Sequence, residues 1–83
     1  MKRSERAHLE AVAALGCIIC GAPAEIHHVR RDGGRRDHTR VLPLCPTHHR
    51  LGNYSYAIHA GRKGFEQRFG TEDELLAKVE GLL

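Results

Sequence analysis

No stretch of this sequence stays apolar for long: its runs are broken by Gly, Pro or charge well before the roughly 20 residues that crossing a bilayer requires. The expectation is a soluble protein with no membrane partner. The opening MKRSERAHLE also lacks the apolar core of a secretion signal. A fourth cysteine is missing, so Cys17, Cys20 and Cys45 cannot pair off evenly. These absences point to a reducing compartment and away from a disulfide framework. Internal repeats, low-complexity tracts and a second composition are absent as well, so residues 1–83 are read as a single domain.

A domain of 83 residues buries too little apolar surface to rest comfortably on its core alone, so some staple is expected. With disulfides set aside, the staple is a metal. The formal net charge of +3 is unevenly spread: residues 26–63 hold eight Arg or Lys against two Asp, whereas residues 64–83 hold two against five acids. A basic middle suits a polyanionic partner, because each phosphate neutralised by Arg or Lys releases counterions. A basic surface is also an ordinary solubilising device, so charge alone does not identify nucleic acid.

Ser4 is placed to cap a helix over residues 5–15, whose Leu9, Val12 and Ala13 follow i, i+3, i+4 spacing and which Gly16 would stop. CIICGAP reads as a tight turn and AEIHHV as a short strand. Gly33-Gly34 permits a hairpin return into VLPL, a second strand kept short or at an edge by Pro43. Pro46 suits the first turn of a helix containing His48 and His49, so a ββα unit emerges. GNYSYAIHAGRKG is glycine-punctuated and irregular, and FEQRF reads as a turn of helix. Thr71 and Glu74 form a capping box for a last helix, acidic and read as a packing element, with Leu75, Leu76, Val79 and Leu82 on its apolar side.

The strongest chemical signal is Cys17-x-x-Cys20 followed by Cys45-x-x-His48. Three thiolates and one imidazole in two knuckle-spaced pairs are the ligand set of a closed tetrahedral structural Zn2+ site. Single cysteines are often just small buried hydrophobes, but that reading does not explain both pairs. Folding would then depend on metal.

Two histidine doublets, His27-His28 and His48-His49, need a further explanation. Helical neighbours diverge by about 100°, so with His48 on the zinc, His49 must face elsewhere. Neighbours on a strand point to opposite faces, and a bend at the strand end would bring His27 and His28 toward one cleft. His27, His28, His49 and His59 are thus four candidates for a second, open metal site, whereas His8 and His38 are read as surface imidazoles. Glu25, Asp32 and Asp37 are the only carboxylates expected near this cluster.

The order C-x-x-C, IHHV, a basic Gly-containing loop and LPLCPTHH resembles the zinc-stapled branch of the HNH (His-Me finger) nucleases. EIHHVR, RVLPLCPTHHRLG and GRKGFEQRFG are similar, more narrowly, to phage-type HNH proteins of the recombination-enhancement, RecA-dependent nuclease group, over roughly residues 9–70. The resemblance implies an α+β fold: a small zinc-stapled ββα-metal core with flanking N- and C-terminal helices. It implies His28 as general base, with His27 and His49 as ligands of a catalytic divalent metal; a site rich in imidazole and poor in carboxylate could accept Zn2+, Ni2+ or Mn2+ as well as Mg2+. The third ligand is His59 or Asn53, His59 being the stronger ligand type. Where the family's middle Asn braces the loop, this chain has Arg40, leaving Asp37, His38 or Thr39 as the brace.

The expected function is a metal-dependent endonuclease hydrolysing DNA phosphodiester bonds, cytoplasmic in a bacterial or phage-infected cell, with a recombinase-type protein as a further partner. A neutral imidazole with a pKa near working pH is suited to take a proton from water. Arg30, Arg31, Arg35, Arg36 and Arg40 would grip the DNA backbone, while Tyr54 and Tyr56 are read as packing more than base-stacking residues. The alternative is a non-enzymatic zinc-stabilised nucleic-acid-binding module, and a third reading is a protein-interaction adaptor.

Overall fold

A computed structural model describes residues 2–30 and 37–83. The chain runs through α1 (Arg3–Ala14), strands β1 (Glu25–His28) and β2 (Val41–Leu44), a π-helical turn (Thr47–Leu51), a 3-10 turn (Ile58–Ala60), α2 (Arg62–Phe69) and α3 (Glu72–Leu82). It is a small mixed α/β fold whose sheet is the antiparallel pair β1–β2. The Gly33-Gly34 turn expected between the strands lies outside the described residues, as do Asp32, Arg31, Arg35 and Arg36.

The first helix begins earlier than its Ser4 cap would allow. Lys2 is the extended residue before it, and the Glu5 carboxylate accepts from the Lys2 backbone N–H at 2.9 Å. A carboxylate in the first turn satisfies an otherwise orphaned donor and lies favourably in the helix dipole. Gly16, at φ +78°, ends the helix in the left-handed region that glycine enters without a Cβ clash.

Strand β2 is buried at every residue from Val41 to Leu44, because α1 and α3 both pack on it. A strand covered on both faces reads as a continuous apolar run, as VLPL does. Pro43 breaks no ladder bond: its carbonyl accepts from Ile18 N–H at 2.9 Å on the edge away from β1. In an antiparallel strand the N–H and C=O of one residue point the same way, so the missing donor also faces that outer edge. The CxxC turn is thereby stitched to β2. Val12, Leu42, Leu44, Phe65, Leu75 and Val79 make the centre of the core with β2.

Three expectations about helices are corrected. The segment after Cys45 is one wide turn rather than an α-helix, closed by Gly52 N–H donating to Thr47 C=O at 2.9 Å; a Cβ on Gly52 would collide with that carbonyl. FEQRF extends to a two-turn helix from Arg62. In α3 the capping box forms as its spacing predicts, with Glu74 N–H on Thr71 Oγ1 at 3.1 Å and Thr71 N–H on Glu74 Oε1 at 2.9 Å. Leu75 and Val79 are buried, but Leu82, expected on the apolar face, is 60% exposed at the chain end. Among the described residues, no helix is long and apolar enough to cross a membrane.

Candidate metal centres

Cys17, Cys20, Cys45 and His48 converge, with their ligand atoms all within 4.8 Å of one another. Cys20 Sγ lies 3.7 Å from Cys45 Sγ, and His48 Nδ1 lies 3.2 Å from Cys45 Sγ and 3.7 Å from Cys17 Sγ. A tetrahedron with Zn–S bonds of 2.3 Å has sulfur–sulfur edges of about 3.8 Å, so the donor set fits Zn2+ in spacing as well as chemistry. A sulfur–sulfur distance of 3.7 Å is no disulfide, and all three cysteines are free.

The protein environment treats the thiols unequally. Burial raises the Cys17 pKa, but hydrogen bonds from the backbone of Cys45, Cys20 and Ile19 outweigh it, and the net direction is down. At Cys20 a backbone hydrogen bond from Ala22 works downward, yet desolvation and the Cys45 and Cys17 side chains carry the net upward. Thiols crowded this closely resist ionising together unless a cation neutralises them. The cage therefore joins the end of α1 to the turn after β2, and Phe69 of α2 packs edge-on against His48 at 5.4 Å between ring centres.

His49 sits on the other side of the same turn. Its ring centre is 5.3 Å from that of His27 and 4.4 Å from that of His59, and His27 and His59 are 5.5 Å apart. Ligand atoms of these three rings also fall within 4.8 Å of one another, so the trio can hold a metal ion. The trio, His28, Arg30, Arg62 and Glu72 line one cavity of about 370 Å³, against an apolar wall of Ile26 and Ile58. Both histidines of the first doublet thus meet one cavity. Asn53 is exposed beyond Gly52 and does not line it.

Two carboxylates anchor two of the three rings. His49 Nδ1 lies 2.7 Å from Glu25 Oε2, and His27 Nε2 lies 2.9 Å from Glu72 Oε2. Metal-binding histidines typically donate one ring N–H to such a partner, which turns the other nitrogen toward the ion. Glu25 is also gripped by Arg50, through Nη2 to Oε1 at 2.7 Å and Nε to Oε2 at 3.0 Å. Arg50, then His49, hold the Glu25 carboxyl down to about 2. Desolvation, then the nearby His49 and His27, lower the pKa of His59, favouring the neutral ring that coordination needs.

Several of these residues escape sequence reasoning. Glu72 comes from the helix read as mere packing, and it adds a carboxylate to the three expected; of those, Glu25 is at the site, Asp32 lies outside the described residues, and Asp37 acts in the loop. His38 is no plain surface imidazole: its Nδ1 is 3.0 Å from His28 Nε2. Asp37 braces the loop before β2, its Oδ1 accepting from Thr39 N–H at 2.9 Å and Thr39 Oγ1 at 2.6 Å. Arg40 does not stand open to solvent; it pairs with Asp73 at 2.9 Å, its side chain 24% exposed. Arg62, on α2, contributes a cation at the cavity that the basic loop did not foretell. No sequence signal marks Glu72 or Arg62, whose placement depends on how α2 and α3 pack.

Compared with known proteins, residues 2–83 match the model of a family described as recombination enhancement, RecA-dependent nuclease. No curated protein and no solved structure matches the chain.

Proposed function

The chain belongs to the recombination-enhancement, RecA-dependent nuclease family, and on that premise we propose that it is an HNH-type endonuclease that hydrolyses DNA phosphodiester bonds at the histidine-lined cavity. The observation that carries this reading is the meeting of His27, His49 and His59 in one cavity with His28, apart from the zinc cage. The cage is the scaffold, and the second cluster is the reactive centre. The order of β1, β2 and the turn bearing His49 supports a ββα-metal core.

His28 acts as the base: its neutral ring takes a proton from water, and general-base catalysis of this kind contributes about 10²–10⁴-fold. His27, His49 and His59 would hold a divalent cation, which would supply charge neutralisation at the scissile phosphate and its leaving oxygen. Arg30 and Arg62 flank the cavity, where guanidinium groups hydrogen-bond phosphate oxygens and position the backbone without reading sequence. The family name also supports a recombinase as the partner that directs the enzyme to DNA.

The test is nicking of supercoiled plasmid by the zinc-loaded protein with Mg2+, Mn2+, Ni2+ or Zn2+ added. Wild-type protein nicks the plasmid and His28→Ala does so at least a hundredfold more slowly. Intact plasmid under every metal, with salt-sensitive DNA binding retained, would instead identify a binding module.

A further inference from the structure

Glu72 is an acid in an unexpected place. It occupies the first position of α3, where the capping box is already made by Thr71 and Glu74, so the helix itself does not require it. It is only 9% exposed. A carboxylate is costly to bury without partners, and Glu72 has one for each oxygen: Oε2 lies 2.9 Å from His27 Nε2, and Oε1 lies 3.7 Å from Arg62 Nη1. Its backbone N–H donates to Glu66 Oε2 at 3.0 Å, which ties the start of α3 to α2.

We propose that Glu72 is a positioning residue of the histidine centre, fixing the ring of His27 so that Nδ1 faces the bound cation. The inference rests on the reading of that cluster as a metal site. A neutral imidazole has one N–H and one lone pair. With the carboxylate accepting from Nε2–H, the lone pair is confined to Nδ1 and the ring cannot turn without losing its partner. His49 is held in the mirror sense, Glu25 taking Nδ1 and leaving Nε2. Two ligands on different elements are thus each locked by a carboxylate, one from β1 and one from α3. The last helix becomes part of the reactive centre, and its docking sets how well His27 binds metal.

The experiment fills the cage with zinc, then titrates Co2+ and follows its visible absorption, with the His27 tautomer read from ring 15N shifts. Wild-type protein binds one further Co2+, with His27 protonated on Nε2 before metal is added. Outer carboxylate partners of metal-bound histidines are typically worth about 10–100-fold in affinity. Glu72→Leu should therefore weaken Co2+ binding by that factor, with Glu72→Gln, which keeps an accepting oxygen, falling between. Asp73→Asn, one residue along and 81% exposed, should leave the affinity unchanged. Glu72→Leu within twofold of wild type, or Asp73→Asn equally weakened, overturns the inference while the metal centre stands. A wild-type chain that takes up no Co2+ overturns the metal centre itself and this inference with it. Zinc content and melting temperature, unchanged in Glu72→Gln, separate a positioning role from a folding defect.

Discussion

His28 and His38 meet nitrogen to nitrogen, Nε2 of the first 3.0 Å from Nδ1 of the second, with ring centres 5.1 Å apart. The end of β1 is thus tied to the loop before β2, and one nitrogen of the proposed base is already engaged. A base must be held in reach of the water it activates, so its partner governs its aim.

His38→Ala is therefore expected to lower kcat for plasmid nicking, less than His28→Ala does, with little change in KM. His38→Asn, which keeps a polar partner, recovers part of the loss. A change confined to KM would place His38 in DNA binding instead.

Removing metal should undo the fold. Structural zinc sites of this type contribute about 10–16 kcal/mol of apparent binding free energy, which is folding free energy when no site exists in the unfolded chain. Strong chelators are expected to abolish the cooperative melt, and Cys45→Ser to do so without chelator. Zinc content measured beside circular dichroism checks both; a chelated protein that melts unchanged would refute the clamp.

Gly16→Ala should be destabilising for two separate reasons. The left-handed conformation costs an L-residue about 1–2 kcal/mol, and the added Cβ would stand 2.9 Å from the Gly21 carbonyl oxygen. Because Cys17 follows directly and its N–H donates to Ala22 C=O at 2.8 Å, the strain falls on the first residue of the Cys17/Cys20/Cys45/His48 cluster. Urea unfolding in excess zinc reads the loss, with weaker zinc retention in a competition assay alongside.

Acid should loosen α3 through Glu74. Hydrogen bonds from the Thr71 backbone, then its side chain, lower the Glu74 pKa below its ordinary value. A depressed carboxyl stabilises the fold above its unfolded pKa, and that stabilisation disappears as pH falls through the folded value. Stability followed on the acid side of pH 5 should fall more steeply in wild type than in Glu74→Gln, which lacks the titrating group.

Arg62→Ala should weaken DNA binding alike across sequences. If Arg62 meets one phosphate, the slope of log affinity against log salt becomes shallower by about 1. An unchanged slope would remove Arg62 from the DNA path.

Local chemistry in the sequence determined the Cys/His cluster and the two strands. Ligand spacing in C-x-x-C and C-x-x-H is short enough for a single turn to set, and the Thr71–Glu74 box lies within one helical turn. The second doublet likewise announced two sites, because neighbours on a helical turn diverge, and His48 and His49 do fall in separate clusters. Only the tertiary structure decided what backs the histidines. Glu72 lies 45 residues from His27, and Arg40 meets Asp73 from 33 residues away. Such pairs exist because α3 packs on β2 in one particular seating, and no periodicity along the chain encodes that seating. Whether the chain continued as a regular helix past His49 was also a tertiary matter: Gly52 closes the wide turn, leaving Asn53 outside the cavity and a later 3-10 turn to bring His59 to His27 and His49.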